Sequence, residues 1–485
     1  MAQDQTARKR VAEQETALTA EPNRGVKFGG DEGFLREVRG RVEEYFQNTG
    51  RRQRDCLRMY LKTMLVLTWL AVAYVLLVFV AQTWWQALPL AIALGLALGL
   101  VGFNIQHDGA HHAYSRHEWV NRLMARTLDL VGGSSYLWHW KHNVSHHTYV
   151  NITGQDVDID VSLLARFTPH QKWLRIHRWQ HFYLWALYGL MIVRWQLYGD
   201  FHDLISGRIG GHRVRRPRGW DLATFLGGKL AFCALAFGIP MLLHPVWVVL
   251  LLYAVASIVL GVVMAVVFQL AHAGEHAAFP LPRQNTGCIE NSWAVHQVET
   301  TVDFARGNRV LSWLLGGLNF QIEHHLFPRI CHVNYPGIAK VVEATCKEFG
   351  VKYAEHKSFW AGVASHFRWL RRMGRPDAGA RGSAAAGQAA GGVPPFCAGG
   401  HRRRSPIPSP WRRPRTRRGP AHRRPEHRDE IRLCADAAGP AHRGVRPPEG
   451  VGAGRRHATL RLFLRPCGRP QAGPWCRNNG IRILS

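Results

Sequence analysis

No Cys-x-x-Cys spacing occurs anywhere in the 485 residues. The nine cysteines are scattered: Cys56, Cys233, Cys288, Cys331, Cys346, Cys397, Cys434, Cys467 and Cys476. An odd number without paired spacing argues against a disulfide framework and against a structural zinc knuckle. A Cys-rich iron–sulfur motif is absent too. Residues 1–55 are polar and contain no apolar run of the kind a cleavable signal requires. Acidic residues are scarce, 33 against 62 Lys and Arg, for a formal charge of +29. That balance invites a nucleic-acid reading, but the distribution argues against it. Roughly 22 Arg and about 6 acidic residues lie beyond Arg375, without one Lys, so over half the excess sits in the last quarter. The remainder is moderately basic, as suits a membrane protein with positive cytosolic loops. No specific nucleic-acid partner is expected.

Long apolar runs are what the chain does have. Residues 60–81 and 87–105 form one pair, and 220–243 and 245–271 form another. A bilayer core of about 30 Å takes about 20 helical residues, so each run is long enough to span. The connections within each pair are too short for anything but a hairpin. Trp84 and Trp85, in the first turn, suit a membrane interface. Both turns lack Lys and Arg, whereas the leader, the 106–219 segment and the stretch after Ala271 are rich in them. The positive-inside rule then puts the N-terminus, the middle segment and the C-terminus in the cytosol. The expected fold is an all-α membrane protein of four spans in two hairpins, carrying a cytosolic helical cap.

Around these spans, residues 1–30 read as a disordered polar leader and 31–365 as the folded domain. Phe34, Val38, Val42 and Phe46 recur at helical spacing and predict an amphipathic helix on the membrane or on the cap. Phe182–Leu197 is apolar but short and interrupted by Arg194, which predicts an interfacial helix. Residues 374–485 are Arg/Pro-rich without an apolar period and predict a disordered tail. Its composition also suits out-of-frame translation of a GC-rich gene.

Histidines mark the chemistry. His107, Asp108, His111 and His112 follow the second run directly. His142, His146 and His147 form a second cluster, closely followed by Asn151. Gln321, Glu323, His324 and His325 form the third, and single histidines at His272 and His296 lie between. Residues i and i+4 share one helix face, so His107 with His111, and His142 with His146, can each address one point. An adjacent histidine points about 100° away, which suits a second metal. Seven to nine histidines exceed what one zinc uses, which is about three protein ligands at a catalytic site. All clusters fall on the side already placed in the cytosol. Asp108, Asp156, Asp158 and Glu323 could each accept an imidazole N–H and fix its tautomer, and Asn151 could hold a water or cap a turn.

Three boxes of this form, in this order around two hairpins, resemble the integral-membrane fatty-acid desaturases. Gln321-Ile322-Glu323-His324-His325-Leu326-Phe327-Pro328, with Gln where a first His is usual, is similar to the front-end, linoleoyl-CoA-type branch. His296-Gln297-Val298-Glu299-Thr300-Thr301 resembles the same branch. The resemblance covers roughly residues 30–360. It implies two iron ions held by His107, His111, His142, His146, His147, His324 and His325. His272 is the implied further ligand, with His112, His296 and Gln321 as candidates.

The implied reaction is O2-dependent formation of a cis double bond in a fatty acyl chain, carried on CoA or a lipid. Breaking an unactivated C–H bond is beyond side-chain acid–base chemistry and calls for a metal oxidant with external electrons. No His-Pro-Gly-Gly haem motif occurs, so a separate donor is expected, a ferredoxin or cytochrome b5-like protein with its reductase. The implied location is a bacterial inner membrane. The rival readings are a membrane di-iron hydroxylase, which shares the ligands, and a metal transporter. The transporter is disfavoured because the spans carry almost no polar groups.

Overall fold

The computed structural model describes residues 26–160, 163–283 and 285–376. Most of the 1–30 leader and all of the tail beyond residue 376 lie outside the described residues. The described chain is helical, with three two-residue strand pairs as clasps.

Helix α1 (Gly33–Thr49) buries Phe34, Val38, Val42 and Phe46. It lies on protein, with Phe34 edge-on to Phe349 and Arg41 bonded to both Glu348 oxygens at 2.8 and 2.6 Å. Four helices are long and apolar enough to cross a membrane: α2 (Leu57–Val80), α3 (Trp84–Ala110), α4 (Trp220–Leu243) and α5 (Val246–His272). Among the described residues these are the four expected spans, with shifted ends. The largest shift is in α3, which runs past residue 105 to Ala110. The polar residues there face protein, so the apolar run stops before the helix does.

Residue chemistry explains each turn. Thr83 caps α3, and the Gln86 side chain accepts from the backbone of Gln82 and Thr83 at 3.0 and 3.2 Å, closing a capping box. In the second turn, His244 Nε2 donates to the Val78 carbonyl at 2.7 Å and ties one hairpin to the other. Outward-facing Leu61, Leu65, Phe79, Leu230 and Leu242 are exposed, as lipid-facing side chains should be.

Lipid tails give helices no hydrophobic reason to associate, so spans pack through small residues. A Cβ on Gly95 of α3 would sit 2.5 Å from the Ala256 carbonyl of α5. A Cβ on Gly261 of α5 would sit 2.5 Å from the Tyr188 carbonyl. Tyr188 belongs to a helical stretch from 180 to 206, longer than the interfacial helix expected over Phe182–Leu197. This stretch crosses α5 near its midpoint and packs Leu184 and Tyr188 against Ala265 and Val266. Replacing Gly261 by Leu should force these backbones apart at a cost of about 1–3 kcal/mol. The expected readout is a lower melting temperature in detergent.

Two buried lysines sit within spans. Lys62 of α2 and Lys229 of α4 are both buried. Lys229 Nζ donates to Gly132 O at 2.6 Å, Gln196 O at 3.0 Å and Asp200 Oδ2 at 2.9 Å. Asp200 also accepts from Trp195 Nε1 at 2.7 Å. Among the described residues, Cys56, Cys233, Cys331 and Cys346 are free.

Candidate metal centre

Two widened helical turns carry the first two histidine boxes. In α3 the turn Val101–Gln106 is π-helical and delivers His107 at its end. A second π-helical turn, His139–His146, holds His142 and His146. Such turns are rare and cluster at functional sites. The third box lies on the short, wholly buried helix Gln321–Leu326. His272 is the last residue of α5.

These elements bring eight histidines into one buried cluster. Ring nitrogens of His107, His111, His142 and His324 lie within 4.8 Å of one another. Those of His146, His272 and His325 form a second such group, and His147 with His324 and His325 joins the two. The pairing within box two differs from the simple i, i+4 expectation. His142 falls in the first group and His146 in the second, although both also lie near Asp158. A π-turn takes more residues per revolution than an α-turn, so positions i and i+4 are rotated relative to one another.

The donor set fits metal ions. Nε2 of His142 lies 3.2 Å from His107 Nε2 and 3.3 Å from His147 Nε2, and His147 Nε2 lies 3.0 Å from His324 Nε2. Two imidazoles on one ion, each bound at about 2.1 Å, are about 3.0–3.4 Å apart. Nε2 of His111, His146 and His325 are buried without a hydrogen-bond partner. Buried polar atoms are nearly always satisfied, so these point to a missing ligand. Burial, reinforced by neighbouring imidazoles, pushes His142, His147, His324 and His325 well below the usual histidine range. The neutral, metal-binding form is thereby favoured.

Outer contacts fix several rings. His146 Nδ1 faces both Asp156 oxygens at 3.2 Å and Asp158 Oδ2 at 3.3 Å. Burial pushes His146 down, but the two carboxylates outweigh it and raise its pKa. His325 Nδ1 donates to Gln297 Oε1 at 2.8 Å, and His324 Nδ1 meets the Tyr335 hydroxyl at 3.1 Å. Gln321 Nε2 lies 3.0 Å from His272 Nε2. Gln297 and Tyr335 were not among the sequence candidates, although Gln297 lies within the 296–301 stretch.

Other candidates stand elsewhere. His112 is half exposed and pairs with Glu118 at 2.9 Å, away from the cluster. His296 is buried, with Nε2 on the Val150 carbonyl at 3.0 Å. Asn151, at φ 58°, donates to the carbonyls of His272, Ala278 and Thr300 and holds the second box against the end of α5. Asp108 turns away from the ligand rings and holds His332 Nδ1 at 2.9 Å, while Lys62 Nζ lies 2.9 Å from His332 Nε2. Glu323 sits 2.9 Å from the Tyr353 hydroxyl. Burial and Asp303 push its carboxyl well above the usual range.

An apolar cleft opens beside the cluster, between the ends of α3 and α5. Gly102, Phe103, Trp138, Met264, Val267, Phe268 and Leu318 line it, together with Gln106, His107, His142 and Gln321. Trp138 stacks on the His142 ring, with centroids 4.6 Å apart.

The family model described as fatty acid desaturase matches residues 83–357, which take in every histidine of the cluster. An sn-1 linoleoyl-lipid 6-desaturase of Synechocystis is 39% identical over 359 residues, covering 74% of this chain and 99% of the relative. One of the same name from Arthrospira platensis is 42% identical over 72% of this chain and 94% of its own length. An acyl-lipid (8-3)-desaturase of Physcomitrium patens is 36% identical over 71% and 72%. On these matches the chain belongs to the fatty acid desaturase family, in its front-end branch, and is an oxidoreductase of lipid desaturation.

Proposed function

We propose that the clustered imidazoles hold two iron ions and that the protein uses O2 to introduce a cis double bond into a lipid-bound acyl chain, near its carbonyl end. One observation carries this reading: eight buried imidazoles gather in two groups, each with partnerless ring nitrogens, and His107 and His142 of the first group line an apolar cleft at the ends of two spans. His107, His111, His142 and His324 would hold one ion, and His146, His272 and His325 the other, with His147 between them. The names of the cyanobacterial relatives support an acyl-lipid substrate and a front-end position.

When bound, the iron pair supplies the chemistry by which O2, two electrons and two protons take two hydrogens from a methylene pair and leave two waters. The protein's part is placement. Phe103, Trp138, Val267 and Phe268 hold a methylene chain by contact and keep water from it. The fixed rings hold the reacting atoms close to that chain. Electrons come from a separate carrier protein. The excess of Lys and Arg outside the hairpin turns supports a cytosolic site, with both chain ends on the same face, in a bacterial inner membrane.

The test is expression in a host of defined lipids, with iron counted per purified chain and new double bonds mapped by mass spectrometry. About two irons and a cis alkene support the reading. An alcohol product, or iron-free active protein, would overturn it. Asp156→Asn removes the charge that orients His146, so iron affinity or turnover should fall about 10–100-fold.

A further inference from the structure

Two buried donors lining the cleft, Gln106 Nε2 and Trp138 Nε1, have no hydrogen-bond partner, and of these Trp138 is already committed by its ring, which stacks on His142. Of the other polar residues lining the cleft, His107 and His142 belong to the cluster, and Gln321 is engaged with His272. Gln106 is different. Its side chain is 3% exposed, it lines the cleft, and its Nε2 has no hydrogen-bond partner. A buried amide donor facing an apolar space is costly unless a ligand satisfies it.

The widened turn puts it there. Gly102, Phe103, Gln106 and His107 all border the cleft, so one revolution of Val101–Gln106 forms a wall that ends on a histidine of the metal cluster. Neighbouring Asn104 is employed differently: its Nδ2 donates to the Leu100 and Leu314 carbonyls at 2.8 and 3.1 Å.

An acyl chain offers few acceptors. Its methylenes have none, and the strong one is the carbonyl oxygen at its head. A chain desaturated near that end has only a few methylenes between the reacting carbons and the carbonyl. A donor one residue from His107 is therefore within reach of that oxygen. We propose that the Gln106 amide receives the acyl carbonyl and thereby sets how far from it the double bond is laid down. This rests on the acyl-desaturase reading above.

Wild type, Gln106→Leu and Gln106→Asn are expressed in the defined-lipid host and fed 16- and 18-carbon acids. Iron per chain and double-bond positions are measured. Wild type should place one bond at a fixed distance from the carbonyl on both chains. Gln106→Leu should keep its iron, spread the bond over neighbouring positions and lose about tenfold in product formed. Gln106→Asn, with a shorter amide, should retain a single position displaced from that of wild type. Purified protein is also given lipid esters or acyl-CoA with reductant. Turnover on one of them identifies which carbonyl is bound, and the Gln106→Leu loss should follow that carrier. Unchanged position and turnover in Gln106→Leu would overturn the proposal, as would loss of its iron. A wild type that makes no alkene would instead remove the underlying reading of function.

Discussion

His325→Ala should abolish desaturation, by at least about 100-fold, while the protein still inserts and folds. His325 is fully buried, its Nε2 has no partner, and its ring faces both His146 and His272. In the proposed centre, deleting it would remove a ligand from the second group. The cost to the fold is smaller: Gln297 Oε1 loses its donor, worth about 1–3 kcal/mol, and all four spans remain. His142→Ala and His146→Ala should behave alike, one from each group. The measurements are alkene yield, iron per chain and membrane fractionation. Normal activity in all three variants would mean that the centre lies elsewhere.

Lys229→Met should destabilise the fold by about 3–5 kcal/mol without touching any of the clustered histidines. Asp200 is wholly buried, and Lys229 is its charged partner at 2.9 Å. A buried carboxylate without its cation is costly, and Trp195 alone cannot replace it. The loss should also disturb the site, because Trp195 packs on Trp138, which stacks on His142. Lys229→Met combined with Asp200→Asn removes both charges and should recover most of the stability. Melting in detergent reads both variants. A Lys229→Met protein as stable as wild type would show that the pair contributes little.

Much of this was legible beforehand because the signals were strong and local. Runs of about 20 apolar residues fix helices by length alone, and histidines at short spacing need few alternatives weighed. Two things were not legible. The π-turns at Val101–Gln106 and His139–His146 leave no compositional mark, so the division of His142 and His146 between groups could not be read from an i, i+4 rule. Long-range partners were equally hidden. Asp108 adjoins His107 in sequence yet serves His332, 224 residues away, because the helix turns its side chain outward from the cluster. Gln297 and Tyr335 reach the third box only through folding.

The backbone seams at Gly95 and Gly261 have a consequence for the setting in which the enzyme works. A desaturase alters the fluidity of its own surroundings as product accumulates. Anchors that meet through direct main-chain contact take little of their cohesion from how well ordered the neighbouring lipids are. Helices α3 and α5, which end at His107–His111 and His272, can thus keep their spacing in stiff and in fluid bilayers alike, and catalysis need not slow through misalignment as the membrane softens.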